Sequence, residues 1–440
     1  MRPEWKPEVF AEHRAQFFQS LGEDDAALLF GAPHFLRNGD AEFKYRPDSD
    51  VFYLSGWEAP EVALLFRPGA DQPFVMFVQD RNPAMEIWTG RRWGTDGAKE
   101  RFGADEAFPF ESLGSKLPDL LQGYTNLHYR FAEDGDRDQL LIGAIKAARR
   151  KARRNGMAVP DAFIDPSRAL HELRLFKGPH EVALMQRAAD ITADAHIAAM
   201  NITRAGVAEF ELESIIDHTF RCGGGTGPGY TTIVGGGANA TILHYIENSA
   251  PLADGDLVCV DAGCEYGFYS ADVTRTWPVN GRFSDPQRRL YEVVLKAQEE
   301  AISMAVEGNS MRSVHQRAVA VLTEGMVELG LLSGDVNDLI AEETYKKYYM
   351  HGTSHWLGLD VHDVGAYYRS GESRPLEPGM VLTVEPGLYV AEDDEGAPSE
   401  FRGIGIRIED DVLITKGGNR VLTAAIPKTV AEVEAVVGVE

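Results

Sequence analysis

Leu257-Val258-Cys259-Val260-Asp261-Ala262-Gly263-Cys264-Glu265, with the segment Phe268 to Trp277 that follows it, is the stretch on which the fold and chemistry of this chain turn. The first nine residues form an apolar run carrying an acid, as a buried strand would. The second segment reads as its antiparallel return. A two-residue turn at Tyr266-Gly267 sets Glu265 opposite Phe268 and therefore Asp261 directly opposite Asp272. Like charges paired across a sheet destabilise it, and burying them uncompensated costs far more than a surface repulsion. A bound divalent cation removes that cost.

Three further segments enlarge the cluster. In Val381-Leu382-Thr383-Val384-Glu385, alternation puts Leu382 and Val384 on one face and Thr383 and Glu385 on the other. In Ile404-Gly405-Ile406-Arg407-Ile408-Glu409 the isoleucines share a face, and Arg407 and Glu409 share the opposite one. Upstream of both, the segment His351 to Asp363 holds His351, His355 and His362. Taken singly, each acid reads as a turn former or solvated carboxylate, and each histidine as packing. Together, Asp261, Asp272, His355, Glu385 and Glu409 supply four carboxylates and one imidazole. That exceeds what one ion usually takes from a protein and suits two metal ions bridged by shared carboxylates, a site type that activates water. The oxygen-rich set favours a harder ion such as Mn²⁺ over zinc, which prefers nitrogen and sulfur.

The motifs around these residues resemble those of the pita-bread metallopeptidases, the group of aminopeptidase P, prolidase, methionine aminopeptidase and the metal-free creatinase. They are Asp261-Ala-Gly with Asp272-Val-Thr-Arg-Thr, His351-Gly-x-x-His355-x-Leu-Gly-Leu-Asp-Val-His362, Pro378-Gly-Met-Val-Leu-Thr-Val-Glu385-Pro-Gly-Leu-Tyr389, and Gly403-Ile-Gly-Ile-Arg407-Ile-Glu409-Asp-Asp. Outside the site, Tyr45-Arg46-x-x-Ser49-Asp50-x-x-Tyr53, Glu86-Ile87-Trp88-x-Gly90-Arg91-Arg92 and Ile242-Leu243-His244-Tyr245-x-Glu247-Asn248 resemble aminopeptidase P of the bacterial type. The resemblance spans nearly the whole chain.

It implies an α/β N-terminal domain over residues 1–176, serving oligomerisation and contributing to the substrate site. An α+β pita-bread catalytic domain of curved antiparallel sheet covered by helices follows over 177–440. It also implies hydrolysis of the Xaa–Pro bond at a peptide N-terminus by a hydroxide bridging two Mn²⁺ ions, for which other divalent ions could substitute. By similarity Asp261 holds one ion, His355 and Glu385 the other, and Asp272 and Glu409 bridge. Glu385 is the implied proton shuttle. His351, His362 and His244 position the scissile carbonyl or stabilise its oxyanion, and Arg407 orients the carboxylates. Tyr230 belongs to the substrate site. The Trp aligned with Trp88 reaches a neighbouring subunit's site, which implies a homo-oligomer, tetrameric by similarity, with a dimer as the alternative. Burial of Trp88 within its own domain is the plainer reading. Prolidase is the rival within the class. A metal-free binding module is the rival from another class, opposed by the retention of all five ligand-type residues. The glycine-rich run Gly223 to Gly229 departs from the family's equivalent loop.

Bulk properties bound these expectations. A chain of 440 residues is too long for one ordinary core. Its 44% hydrophobic and 25% charged content is that of a soluble globular protein. A net charge of −25 argues against nucleic acid and against anionic membrane surfaces. Met1-Arg-Pro-Glu-Trp-Lys-Pro-Glu lacks a signal peptide's apolar core, and no apolar run reaches transmembrane length. Cys222, Cys259 and Cys264 form no disulfide or zinc pattern, so a reducing cytoplasm is expected.

Along the chain, Phe10 to Ser20 reads as helix, and Ala27–Phe30, Ala63–Phe66 and Phe74–Val78 as strands. The basic run Lys146 to Arg154 reads as a solvated helix face. Pro179 suits the first turn of a helix reaching about Met200, so a domain boundary is expected near Gly178. No Gly-Lys dipeptide, Gly-x-Ser-x-Gly elbow or dinucleotide fingerprint is present, and Gly352 stands where a zincin's catalytic Glu would be.

Overall fold

The computed structural model describes residues 5–438. The chain divides between Arg174 and Leu175 into two compact units. The first carries a six-stranded mixed sheet whose strands run, edge to edge, Glu106–Pro109, Phe74–Val78, Ala63–Phe66, Asp25–Phe30, Asn126–His128 and Ala162–Ile164. The three central strands pair antiparallel and the outer ones join in parallel. Leu28, Leu65, Val75, Phe77 and Leu127 pack from the sheet against Leu117 and Leu141, on the helices Leu113–Leu120 and Gly135–Asn155. The basic run lies on the second of these helices, where Ala148 is buried and Lys151 pairs with Asp119 at the surface.

The second unit is built on antiparallel strands. One sheet holds Ile233–Gly236, Leu257–Asp261 and Thr274–Pro278; another holds Val381–Val384, Asp410–Thr415 and Gly418–Val421; Gly387–Val390 pairs with Ile404–Arg407. Four long helices, Pro179–Ile202, Glu209–Cys222, Asp285–Met304 and Met311–Glu328, accompany these strands. Ile216, Val258, Val260, Trp277, Leu290, Tyr291, Leu322, Ile406 and Ile408 belong to one buried core. Pro179 occupies the first helical turn after Gly178, whose N–H is capped by the Glu181 carboxylate at 2.6 Å. No helix among the described residues is long and apolar enough to cross a membrane.

The hairpin turns one residue later than its sequence suggests. Tyr266 pairs with Tyr269, so Gly267 and Phe268 are the turn residues, with φ of 61° and 67°. A two-residue turn that follows the twist of its strands needs positive φ at both positions. Glycine meets that need without steric cost, whereas Phe268 meets it with strain. The register therefore differs: Asp261 faces Thr274 rather than Asp272. Because the shift is even, Asp272 keeps the face of Asp261 and stands diagonal to it.

Neither segment is one continuous strand. The ladder passes from Leu257–Asp261 to Cys264–Tyr266, which belongs to another sheet. At the break, a Cβ on Gly263 would lie 1.8 Å from the carbonyl oxygen of Ala271, an approach only glycine permits. The kink leaves Asp261 and Asp272 at strand ends, open to a cavity, instead of sealed inside a sheet.

Candidate active site

Each acid is delivered by a strand terminus. Asp261 is the last residue of its strand, Asp272 precedes Thr274–Pro278, Glu385 follows Val381–Val384, and Glu409 joins Ile404–Arg407 to Asp410–Thr415. His355 arrives on the loop 351–363, and two bonds tie the residue itself to this scaffold. Its backbone N–H donates to Thr383 Oγ1 at 3.1 Å, and the N–H of Thr383 donates to its carbonyl at 3.0 Å.

The five sequence candidates meet in one place. Oxygens of Asp272 and Glu409 and a ring nitrogen of His355 all lie within 4.8 Å of one another. His355 Nε2 lies 3.2 Å from Asp272 Oδ2 and 3.6 Å from Glu385 Oε1. Its Nδ1 lies 3.0 Å from the carbonyl of Trp356, an acceptor only, so Nδ1 carries the hydrogen and Nε2 faces the carboxylates. Asp261 is held from two sides, by Arg407 Nη2 at 2.7 Å and by the Tyr230 hydroxyl. These groups line a cavity of about 570 Å³ together with His351, His362 and His244. Ile233, Leu243, Ile246 and Val361 supply its apolar wall. Among the proposed substrate contacts, Trp88 lies in the first unit, on the helix Pro83–Thr89, and is 83% exposed there. That exposure excludes its burial within its own domain.

Several contributors escaped the sequence reading. Thr274 Oγ1 donates to Glu409 Oε2 at 2.7 Å and accepts from Arg407 Nε at 2.9 Å, coupling the two. Its signal was its place two residues after Asp272, on the same face. Tyr389 bridges Arg407 Nη1, 3.1 Å from its hydroxyl, and His351 Nε2 at 2.9 Å. Beneath the site, the carboxylate of Asp411 accepts the Asp272 N–H at 3.2 Å. Nothing local marks Asp411 as more than a strand acid.

The electrostatics are those of a crowded anionic pocket. Burial, and then its hydrogen bond to His355 set against repulsion from Asp261, leave Asp272 harder to ionise than a free aspartate. Glu385 is pushed up to about 7 by burial, although His355 opposes the shift. Glu409 is driven well above the carboxylate range by burial and by Asp272 and Glu385. Burial disfavours His355's charge, yet its bond to Asp272 and the neighbouring acids outweigh it and raise the ring to about 9. His351 is held down to about 4 by burial and Arg407, which keeps it neutral.

Asp261, Asp272, His355, Glu385 and Glu409 fit a divalent metal on this ground: four crowded carboxylates and a tautomer-fixed imidazole are donors that a cation would satisfy. Linkage gives a prediction. A group whose pKa is raised in the fold stabilises fully below its unfolded value and loses that contribution as pH climbs through the folded one. Glu385 loses its share between about 4.5 and about 7, and His355 between about 6.5 and about 9. Metal-free protein should therefore lose stability from pH 6 to pH 8.5, while a bound cation replaces those protons. His351, depressed to about 4, acts almost wholly below this window. The melting-temperature gap between metal-loaded and chelator-treated protein should widen with pH; a gap that narrows contradicts the linkage.

Comparison with known proteins points one way. Residues 183–416 match metallopeptidase family M24, and residues 10–129 match the aminopeptidase P N-terminal domain. An Xaa-Pro aminopeptidase of Escherichia coli is 45% identical over 428 residues, covering 97% of this chain and 96% of the relative. The Pseudomonas aeruginosa aminopeptidase PepP superimposes with a TM-score of 0.96 at 44% identity, over 98% of both chains. A zinc-substituted E. coli aminopeptidase P in complex with product does so at 0.95 and 44%, over 99% of this chain and 98% of that one.

Proposed function

The chain belongs to metallopeptidase family M24 and carries the aminopeptidase P N-terminal domain; from this we propose that it removes the N-terminal residue of peptides with proline in second position. The second unit is the pita-bread catalytic domain of this metallopeptidase, and the first is the α/β domain that precedes it. One observation carries the reading: the carboxylate–histidine cluster lies in a 570 Å³ cavity that also has an apolar wall. Such a wall suits a pyrrolidine ring, and the openness of the rim suits a peptide that continues past it.

Asp261, Asp272, His355, Glu385 and Glu409 would hold two Mn²⁺ ions. When bound, the ions would supply Lewis acidity to the carbonyl and acidity to a water molecule. The chain's own groups do the rest. Arg407 fixes Asp261 and, through Thr274, Glu409, so these acids cannot turn away from the cavity. Glu385 holds a proton on a carboxylate oxygen and passes it to the departing proline nitrogen, which has no N–H of its own before cleavage. Neutral His351, fastened to Tyr389, and His362, whose ring packs edge-on to His355 at 4.4 Å, orient the carbonyl. Tyr230 and His244 border the same cavity as substrate contacts.

The first unit would contribute Trp88 to a partner subunit's substrate site within a homo-oligomer. Trp88 and its neighbour Ile87, 84% exposed, offer an apolar pair suited to burial against a second copy. A single-chain mass by light scattering would overturn this. The three free thiols, with Cys259 and Cys264 buried, suit a reducing cytoplasm. A panel of Xaa-Pro-Yaa peptides and Xaa-Pro dipeptides, assayed with and without Mn²⁺, tests the activity. Release of free Xaa from the longer peptides, dependent on the ion, is expected; reaction of dipeptides alone would favour a dipeptidase.

A further inference from the structure

The segment that follows the strand Ile233–Gly236 brings Leu243, His244 and Ile246 to the cavity. Only its first part, the short turn Gly237–Thr241, has regular structure. From Ile242 to Ala250 burial alternates: Ile242, His244, Ile246 and Glu247 are exposed, whereas Tyr245 and Asn248 are buried. A segment without a ladder of its own must find other acceptors and donors for its polar groups.

It finds them on the helix Glu209–Cys222. Glu209 is fully buried and accepts four hydrogen bonds. Its Oε1 takes the N–H of Gly236 at 2.8 Å and the side-chain amide of Asn239 at 2.9 Å. Its Oε2 takes the Tyr245 hydroxyl at 3.0 Å and the N–H of Ala250 at 2.8 Å. One turn further along the helix, Glu213 accepts from Asn248 Nδ2 at 3.0 Å. Asn248 sits at φ 45°, spans to the carbonyl of Thr232 at 2.9 Å, and accepts the N–H of Val234 at 2.9 Å. Both ends of the segment and its centre are therefore tied to one carboxylate, which touches neither the cavity nor any metal donor.

We propose that Glu209 is the positioning residue of this substrate segment: its four bonds hold His244 and the apolar wall of Leu243 and Ile246 at the distance from the acids that a proline peptide requires. This rests on the peptidase reading above for the substrate, and on geometry alone for the clamp. The carboxylate is suited to the task because it accepts in four directions, and charged acceptors make the stronger bonds. Glutamine in its place has one accepting atom. Whichever way the amide turns, either Gly236 or Ala250 has its N–H facing an NH₂ group.

The test is Glu209→Gln in the full chain, read in two independent ways. Amide exchange at Gly236 or Ala250 should quicken by about tenfold or more, the scale of one hydrogen bond to a charge. KM for an Xaa-Pro-Yaa tripeptide should rise by about tenfold while metal content and kcat hold within about twofold, since the bond acts on placement and not on the ions. His244→Ala should add little to that rise in the Glu209→Gln background, because the two changes disable one device. Unchanged exchange overturns the clamp. A fall in kcat and metal content at constant KM assigns Glu209 to general stability and overturns the positioning role. If Glu209→Gln fails to fold, Tyr245→Phe removes a single donor, and a KM rise of about threefold at constant kcat is expected; no change there overturns the proposal. Should the wild-type protein cleave no proline peptide, the functional reading fails, and the exchange measurement still decides the clamp.

Discussion

Glu409→Ala and Asp272→Ala should each reduce turnover of an Xaa-Pro-Yaa peptide by about 10³-fold or more, whereas His244→Ala should cost about tenfold, mostly in KM. The larger figure follows from transition-state stabilisation of several kcal/mol by a metal centre, at ~1.4 kcal/mol per decade of rate. The smaller is the scale of one hydrogen bond that places the substrate. The geometry ranks them: Asp272, Glu409 and His355 are the three donors that converge within 4.8 Å, and His244 stands on the exposed rim. Bound metal should fall in parallel for the two acid variants and hold in His244→Ala. Wild-type metal content and rate in Glu409→Ala would remove that residue from the ligand set. The acid variants should nonetheless fold, and melt higher than the metal-free parent, because each removes an acid that burial holds above its ordinary range.

How far the sequence could be read follows from which interactions are local. The four candidate acids were legible because each interrupts an apolar strand pattern, where period two predicts the face, whereas His355, on the loop 351–363, stood out only by its histidine-rich segment. Parity also survived an error in register: the turn falls on Gly267-Phe268 because backbone φ, and not composition, selects it. Moving the turn by one residue moves the partner by two and preserves the face. The break at Gly263 escaped notice because a glycine in a strand signals close approach without naming the neighbour, here the carbonyl of Ala271. Thr274, Tyr389 and Asp411 act through side-chain bonds to residues distant in sequence, such as Arg407 to Tyr389 and Asp272 to Asp411. Glu209 is the extreme case. Nothing in Glu-Phe-Glu-Leu distinguishes an acid with four partners from a solvated first-turn glutamate. Trp88 differs again, since only its 83% exposure shows that its own domain does not use it.

Replacing the second-position proline by alanine should cost about 10²-fold in kcat/KM, and an Arg-Pro-Pro peptide should be cleaved at least as well as an Xaa-Pro dipeptide. The first figure reflects what shape selection by an apolar pocket can achieve, ~10- to 200-fold for small aliphatic differences. Ile233, Leu243, Ile246 and Val361 provide that selection beside His351, His362 and the acids. Alanine leaves the wall partly unfilled. The tolerance for length has a different origin. A dipeptidase must close around a free C-terminal carboxylate and hold it with a fixed cation, yet Arg407, the one arginine lining this cavity among the described residues, is committed to Asp261, Thr274 and Tyr389. The rim at Ile246, more than half exposed, instead offers an apolar path outward for the rest of the chain. If alanine substitutes freely for proline, the wall does not select the ring and the specificity is wrong. If dipeptides alone react, some other cation must capture the carboxylate, and the open-rim argument fails with it.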